Sequence, residues 1–385
     1  MRPNDRALSR SLNIADLRSR ARRRLPTPVS DFLEGGAEDE ATLIRNREAF
    51  SEWGLVPRAF RDVSQVSGAV KILGQNLEWP LIVSPTGGAG LFHPDGEIGL
   101  AMAAAATGTL YCLSAMASRS IEEVAQSTTA PKAFQLYIFR DRGLTRELVL
   151  RAKAAGYAAL ILAIDVPVPA NRERDKRTGM TIPPRFDLAS LLAFARHPAW
   201  CWNTLVRQPV KLANFSDMRA EPGTTLLNFI NSQFEPQLSW ADLEWVAGLW
   251  GGPIAVKGLL HGDDVERAVA AGASTIFLSN HGGRQLDAAV SGLDMLEQTA
   301  ERMAGRAELI VDGGIRRGTD ILKAVALGAS ACSTGRVGLY GLTVGGRAGA
   351  TRALQLLRTE YERDMALLGA RRQDEIERSC VRRLR

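Results

Sequence analysis

Short runs of aliphatic and β-branched residues recur along the chain, each closed by Gly, Ser, Asn or Asp and followed by a stretch with helical periodicity. Read as strands, these runs are residues 81–84, 110–114, 133–137, 159–165, 254–257, 275–280, 309–312 and 331–334. Amphipathic segments lie between them at 97–106, 121–126, 145–155, 262–271, 292–303 and 318–327. Continuous apolar strands alternating with helices predict a parallel sheet covered on both faces. Eight such units favour a closed (β/α)8 barrel over an open sheet. The Ala-Ala-Gly-Ala and Ala-Leu-Gly-Ala endings at 270–273 and 326–329 read as helix C-termini stopped by glycine.

Two segments fall outside this alternation. Residues 1–80 precede the first strand and read as helical, then extended. Residues 172–251 separate the fourth and fifth strands and are too long for a plain connection. In a barrel such an insertion lies at the C-terminal mouth, where sites are built. The expectation is one domain over residues 1–385: an extension (1–80), the barrel (81–345) carrying the insertion, and C-terminal helices (346–385).

Composition narrows the picture. A chain of 385 residues with 45% hydrophobic residues is long and apolar enough for a large core. The net charge of +6 and pI near 9.3 invite a nucleic-acid reading, but acidic and basic residues alternate almost throughout. The exceptions are residues 18–24 and 172–211, the latter with eight Lys/Arg against three Asp/Glu. Cys112, Cys201, Cys332 and Cys380 are scattered, which predicts neither a metal site nor a disulfide. No apolar run is long enough to span a membrane, and no secretory core opens the chain. The Arg-rich start is interrupted by Asp5 and Asp16 and reads as a surface helix. Cytoplasmic residence is expected.

Polar residues concentrate where the strands end, the face on which barrels carry their chemistry. After the seventh and eighth strands come Asp312-Gly313-Gly314 with Arg316, and Gly335 with Arg336. Gly-rich loops on the last two units offer backbone N–H groups to an anion, and the two arginines can add charge-assisted bonds. This is a phosphate-site pattern.

With these motifs in place, the sequence resembles the FMN-dependent 2-hydroxy acid dehydrogenases and oxidases, a family that includes glycolate oxidase, L-lactate dehydrogenase and mandelate dehydrogenase. The most specific piece is 279–287, Ser-Asn-His-Gly-Gly-Arg-Gln-Leu-Asp. Supporting pieces are 134–137 (Phe-Gln-Leu-Tyr), 256–258 (Val-Lys-Gly), 312–320 (Asp-Gly-Gly-Ile-Arg-Arg-Gly-Thr-Asp) and 35–39 (Gly-Gly-Ala-Glu-Asp). Segments 32–40, 85–87 and 212–215 look most like mandelate dehydrogenase.

The resemblance implies FMN as cofactor and oxidation of an L-2-hydroxy acid to the 2-oxo acid. His281 would be the base, since an imidazole can take a proton near neutral pH. Asp165 would orient and stabilise its imidazolium. Arg284 and Arg172 would grip the substrate carboxylate, and Tyr137 would offer its hydroxyl. Lys257 would set an ammonium beside the flavin. Gln135, Ser114 and Ser279 would bond the isoalloxazine edge, Asp312 the ribityl hydroxyls, and Pro85, Thr86 and Gly87 would lie beneath the ring.

The chain also departs from the family. Phe32 stands where a substrate-binding tyrosine is common, Met116 replaces a pocket tryptophan, Ala163 replaces a threonine and Gly87 an alanine. Together these imply a roomy, apolar pocket for an aryl or long aliphatic acid. The aromatic and basic stretch 188–215 resembles that of membrane-attached members, which implies peripheral contact with the inner membrane and a quinone or respiratory carrier, rather than oxygen, as oxidant. A homo-tetramer is the family expectation. The competing readings are another FMN barrel (an isomerase or a peptide-modifying oxidase) and a non-catalytic binder of anionic surfaces. Nucleic acid is not expected as a partner.

Overall fold

Before the barrel the chain forms three short strands, β1 (Trp53–Leu55), β2 (Val70–Ile72) and β3 (Gln75–Leu77). The computed structural model describes residues 8–181, 185–216 and 232–384. Eight strands then follow: β4 (Leu81–Val83), β5 (Leu110–Ser114), β6 (Lys132–Leu136), β7 (Ala159–Ala163), β8 (Ile254–Leu259), β9 (Thr275–Leu278), β10 (Glu308–Asp312) and β11 (Ala331–Thr334). All pair in parallel, and β11 returns to β4 with Cys332 opposite Leu81, closing the barrel. The eight expected strands are these eight, with ends shifted by one or two residues.

The barrel interior is layered. Ile82, Cys112, Ala133, Ile161, Ala255, Phe277 and Ile310 fill its middle, and Ile72, Leu73 and Leu77 of the β2–β3 hairpin plug its N-terminal end. The hairpin turn runs through Leu73 (φ 51°) and Gly74 (φ 75°), a left-handed pair that suits a tight two-residue loop. Glu308 accepts from Leu73 N–H and from Thr275 Oγ, tying the plug to the barrel floor.

Among the described residues, helices Ile14–Arg24, Thr27–Glu34 and Ala41–Ser51 precede the strands. The first is capped by Asn13, whose Oδ1 accepts from Asp16 N–H at 2.9 Å. It buries Ile14, Leu17 and Ala21, and packs on the long helix Arg336–Leu368. Of the Arg-rich start, residues 14–24 are thus a packed amphipathic helix, and Asp5 lies outside the described residues. The long helix breaks at Gly345–Gly346, where the expected end of the barrel falls. Beyond it, β12 (Val381–Arg383) pairs antiparallel with β1.

The insertion is shorter than expected. Helix Trp240–Trp250 packs against Arg142–Ala154 on the barrel wall, so it is the fourth unit's own helix. Its Ser239 cap with Asp242 and its Gly251 stop are ordinary helix boundaries that a long intervening segment obscured. Before it lie helices Glu173–Arg177, Leu188–Ala195 and Pro198–Cys201, a π-helical turn Trp202–Arg207 and a 3-10 turn Ala213–Phe215. Among the described residues no helix is long and apolar enough to cross a membrane. All four cysteines are free.

Candidate active site

At the C-terminal end of the barrel the apolar layers give way to a buried ion pair. Lys257 Nζ, from β8, lies 2.8 Å from Asp312 Oδ2 at the end of β10. Ser84 and Ser279 each donate to Asp312 at 2.8 Å, and Lys257 donates to Ser279 Oγ at 2.9 Å. Burial works against both charges. The ammonium nevertheless holds Asp312 below the usual carboxylate range, and Asp312 with Asp165 raises Lys257. A lysine closing an apolar strand is tolerated here because it is paired and hydrogen-bonded.

Above this layer, His281 Nδ1 lies 2.9 Å from Asp165 Oδ1. Asp165 follows β7 and is held close to β8, because Gly258 leaves room for it. A Cβ on Gly258 would meet Asp165 Cβ at 2.6 Å, and that glycine also takes φ 111°. The Lys-Gly pair of the sequence thus serves two ends, a charge inside the barrel and space outside it. Burial disfavours the Asp165 carboxylate, but His281 and Lys257 together hold its pKa below the ordinary range. His281 itself adopts φ 59°, a left-handed conformation costly for a residue with a Cβ and concentrated at functional sites.

Arginines gather beside this dyad. Arg284 lies 4.9 Å and Arg172 5.9 Å from the centre of the Phe32 ring. Arg284 donates to the carbonyls of Phe32 and Gly35 at 2.7 and 3.0 Å. Among the described residues it has no carboxylate at ion-pair distance. Burial, followed by the like charges of Arg172 and Arg336, pushes its pKa down. Such a cluster favours an incoming anion. Arg172 faces Asp175 at 3.4 Å. Tyr137 stacks edge-on against Phe234 at 5.2 Å. Burial and Asp165 raise its hydroxyl pKa while Arg172 and Arg284 pull it back, so one hydroxyl senses all three charges.

Some expected contacts differ. Arg336 donates to the carbonyls of Leu33, Gly282 and Gly35, all within 2.9 Å, and so clamps the N-terminal extension to the loop after β9. Arg316 donates to its own neighbour, Ile315, and lies 5.9 Å from the Tyr340 ring. The Ser279 hydroxyl turns inward to Lys257 and Asp312 rather than outward. Of Gly283 and Gly314, the latter was expected to face an anion. Their missing side chains answer to helix Ala41–Ser51, since a Cβ would meet Leu43 N at 2.6 Å and Asn46 O at 1.9 Å. Gly313 and Gly335 have more room: a Cβ would come no closer than 3.6 Å to Asn46 and 3.1 Å to Thr86 respectively. A Cβ on Gly87 would press on Met116 at 3.1–3.2 Å. Gly87 therefore lets Met116 approach as much as it widens the pocket.

Three residues escaped the sequence reading. Asn46 and Asn280 exchange amide bonds of 2.9 and 2.8 Å in the interior, pinning the N-terminal helix to the loop that carries His281. Glu97 is buried and accepts from Ala89 N–H and Ser118 N–H at 2.8 Å and from Ser118 Oγ at 2.6 Å. It knits the loop after β4 to the loop after β5. A carboxylate within the otherwise apolar helix Gly96–Ala106 was the available signal.

The site suits a flat, acceptor-rich cofactor. Ser114 Oγ donates to Gln135 Oε1 at 3.0 Å, which leaves Gln135 Nε2 buried and without a partner. Thr86 Oγ is likewise buried and unpartnered, on a loop whose Gly87 is exposed. Donors so placed match the carbonyls and ring nitrogens of a flavin.

Comparison with known proteins agrees with this geometry. A family model described as FMN-dependent dehydrogenase matches residues 21–383. The chain is 43% identical to an L-lactate oxidase from Nostoc sp., over 97% of this chain and 99% of that one. It superimposes on the crystal structure of the monotopic membrane protein (S)-mandelate dehydrogenase with a TM-score of 0.93 and 35% identity, covering 97% and 100% of the two chains. A soluble mutant of the membrane-associated (S)-mandelate dehydrogenase from Pseudomonas putida gives a TM-score of 0.85 at 35% identity, covering 97% and 99%.

Proposed function

Since the chain belongs to the FMN-dependent dehydrogenase family and is an FMN-dependent 2-hydroxy acid dehydrogenase/oxidase, we propose that it acts on an aryl or long aliphatic L-2-hydroxy acid and delivers electrons to a membrane quinone or respiratory carrier. The observation that carries the chemistry is the His281–Asp165 pair beside Arg284, which among the described residues has no carboxylate at ion-pair distance.

In this reading, Arg284 and Arg172 bind the substrate carboxylate and turn its Cα toward the cofactor. Asp165, held ionised, takes the Nδ1–H of His281. That leaves Nε2 free to accept the proton released as the alcohol becomes a ketone. The imidazolium so formed is stabilised by Asp165 rather than discharged to it. Tyr137 donates to the reacting oxygen. FMN, when bound, supplies the two-electron acceptor. Lys257, Gln135, Ser114 and Thr86 hold its ring, Asp312 and Ser279 set Lys257, and the loops at Gly313–Gly314 and Gly335, with Arg316, hold its phosphate. Residues 1–385 form one catalytic domain.

Phe32 supports the preference for a bulky substrate. Its ring lies against both guanidinium groups, where a hydroxyl would have favoured small, strongly hydrated acids. Exposed apolar residues on the insertion support the membrane acceptor: Trp202, Leu205 and Val206 are 62, 60 and 59% exposed. The 43% identity with an L-lactate oxidase favours a second reading, lactate with oxygen as acceptor. An anaerobic titration of the yellow protein with lactate, 2-hydroxyoctanoate and mandelate separates the two. Bleaching fastest with mandelate or the long acid is expected, and comparable rates on lactate would remove the substrate preference.

A further inference from the structure

Away from the barrel mouth, a second cleft of about 520 Å³ opens between the insertion and the outer wall of the barrel. Its walls include His93 and Asp95 after β4, Arg119 after β5, Asn203 and Arg207 of the insertion, and Arg347 of the long helix. None of these residues belongs to the candidate active site.

The cleft carries surplus positive charge. Three guanidinium groups face one carboxylate, and Asp95 is already engaged. Its Oδ2 accepts from Arg347 N–H at 2.8 Å, and its Oδ1 lies 3.6 Å from His93. Arg119 donates to Pro94 O at 3.0 Å and reaches Glu123 only at 3.7 Å. Among the described residues, neither Arg207 nor Arg347 has a carboxylate at ion-pair distance. Two unpaired guanidinium groups in one concavity form an anion site in want of an anion.

The break in the long helix builds one wall. Gly346 takes φ 59°, and a Cβ there would meet Asp95 Oδ2 at 2.2 Å and His93 Cε1 at 2.6 Å. Only glycine lets the second half of that helix start against Asp95 and bring Arg347 to the cleft.

The rim identifies the anion's source. Asn203 and Arg207 line the cleft from the same π-helical turn whose Trp202, Leu205 and Val206 are exposed. A π-helical turn closes i→i+5 bonds, so residues four to five apart lie one above the other and the Trp202–Val206 row borders the Asn203–Arg207 row. A concave cationic site edged by a protruding apolar row is the chemistry of a lipid interface. The apolar row enters the acyl boundary while the arginines meet phosphates at headgroup depth.

We propose that this cleft seats the phosphate head group of an anionic phospholipid. The inference rests on the membrane reading given above and adds to it a defined lipid site.

The test is co-sedimentation of the full-length, FMN-loaded protein with vesicles of phosphatidylcholine, with and without phosphatidylglycerol. The unsubstituted protein is expected to prefer the anionic vesicles. Arg207→Gln and Arg347→Gln should each weaken that binding by roughly fivefold. Partition to neutral vesicles and turnover with a soluble dye acceptor should not change. Arg196→Gln, an exposed arginine of the insertion outside the cleft, should matter less. Equal loss from Arg196→Gln would overturn the site in favour of diffuse attraction. So would arginine substitutions that leave anionic binding intact, although membrane association would then survive. Inorganic phosphate that quenches Trp202 fluorescence without vesicles, in an arginine-dependent manner, while anionic vesicles are bound no better than neutral ones, would reassign the cleft to a free phosphate. Failure to bind either vesicle would remove the membrane reading itself.

Discussion

The imidazole of His281 meets the carboxylate of Asp165 at 2.9 Å although the two residues lie 116 positions apart. The structure spends a left-handed backbone at His281 and a glycine at 258 to make that contact. With His281→Asn, kcat should fall by about 10² to 10⁴ while the protein stays yellow. Asp165→Asn should lower kcat less and leave KM nearly unchanged, because the base remains but loses its orienting anion. Stopped-flow flavin reduction with saturating substrate checks both. Loss of bound flavin in either variant would count against the assigned roles.

The Lys257–Asp312 pair makes a prediction about stability. Lys257→Met strands a buried carboxylate and should cost about 3–5 kcal/mol, read from urea unfolding. Replacing both residues by apolar ones should recover most of that loss. The pH signs are fixed by the shifts. Asp312 is depressed, so its contribution is present above the ordinary value of 3.8 and lost as pH falls through its folded value. Lys257 is raised, so its contribution is present below 10.5 and lost as pH rises through its folded value. The difference between wild type and Lys257→Met should be flat across neutral pH and shrink at both extremes.

Phe32→Tyr should return a hydroxyl to a place beside two guanidinium groups. A hydrogen bond to a charged group is worth about 1.5–3 kcal/mol. KM for glycolate and lactate should therefore fall by roughly tenfold or more, with mandelate changed less. Steady-state ratios of kcat/KM across the three acids measure it. An unchanged ratio would place the substrate carboxylate elsewhere.

Glu97 links the two loops that carry Gly87 and Met116. Glu97→Ala leaves two N–H groups and one hydroxyl without their acceptor, at about 1–3 kcal/mol for each buried donor. Weaker FMN retention on gel filtration is the expected sign. Glu97→Gln keeps an acceptor for both N–H groups and should retain the flavin.

Deleting residues 188–213 should shift the protein from the membrane fraction to the soluble one without loss of flavin. The cut spares Asn214, whose side chain bonds Ile121 N and Ala115 O and holds the segment's end to the barrel. Unchanged recovery in the membrane fraction would reject the proposed attachment.

The barrel was readable because each strand is buried on both faces and so appears as an unbroken apolar run. His281 and Asp165, which meet in the structure, could be singled out because they follow such runs. Long-range fitting was not readable. Gly314 looked like an anion-facing glycine, yet what excludes its side chain is a helix more than 200 positions earlier. Arg336 looked like a phosphate ligand, and its guanidinium is occupied by three carbonyls from two distant segments. The pairing of β1 with β12 involves three residues on each side, too few to leave a periodic trace. Helix Trp240–Trp250 was absorbed into the insertion because nothing local distinguishes a wall helix from a lid helix.

Closure of the barrel by β11 against β4 has a consequence for biosynthesis. Roughly 250 residues separate Leu81 from Cys332, which at ribosomal rates amounts to about 12–50 s of waiting for the first strand. Through that interval β4 presents an unsatisfied, fully apolar edge, so the nascent chain is expected to need chaperone shelter until its last quarter emerges.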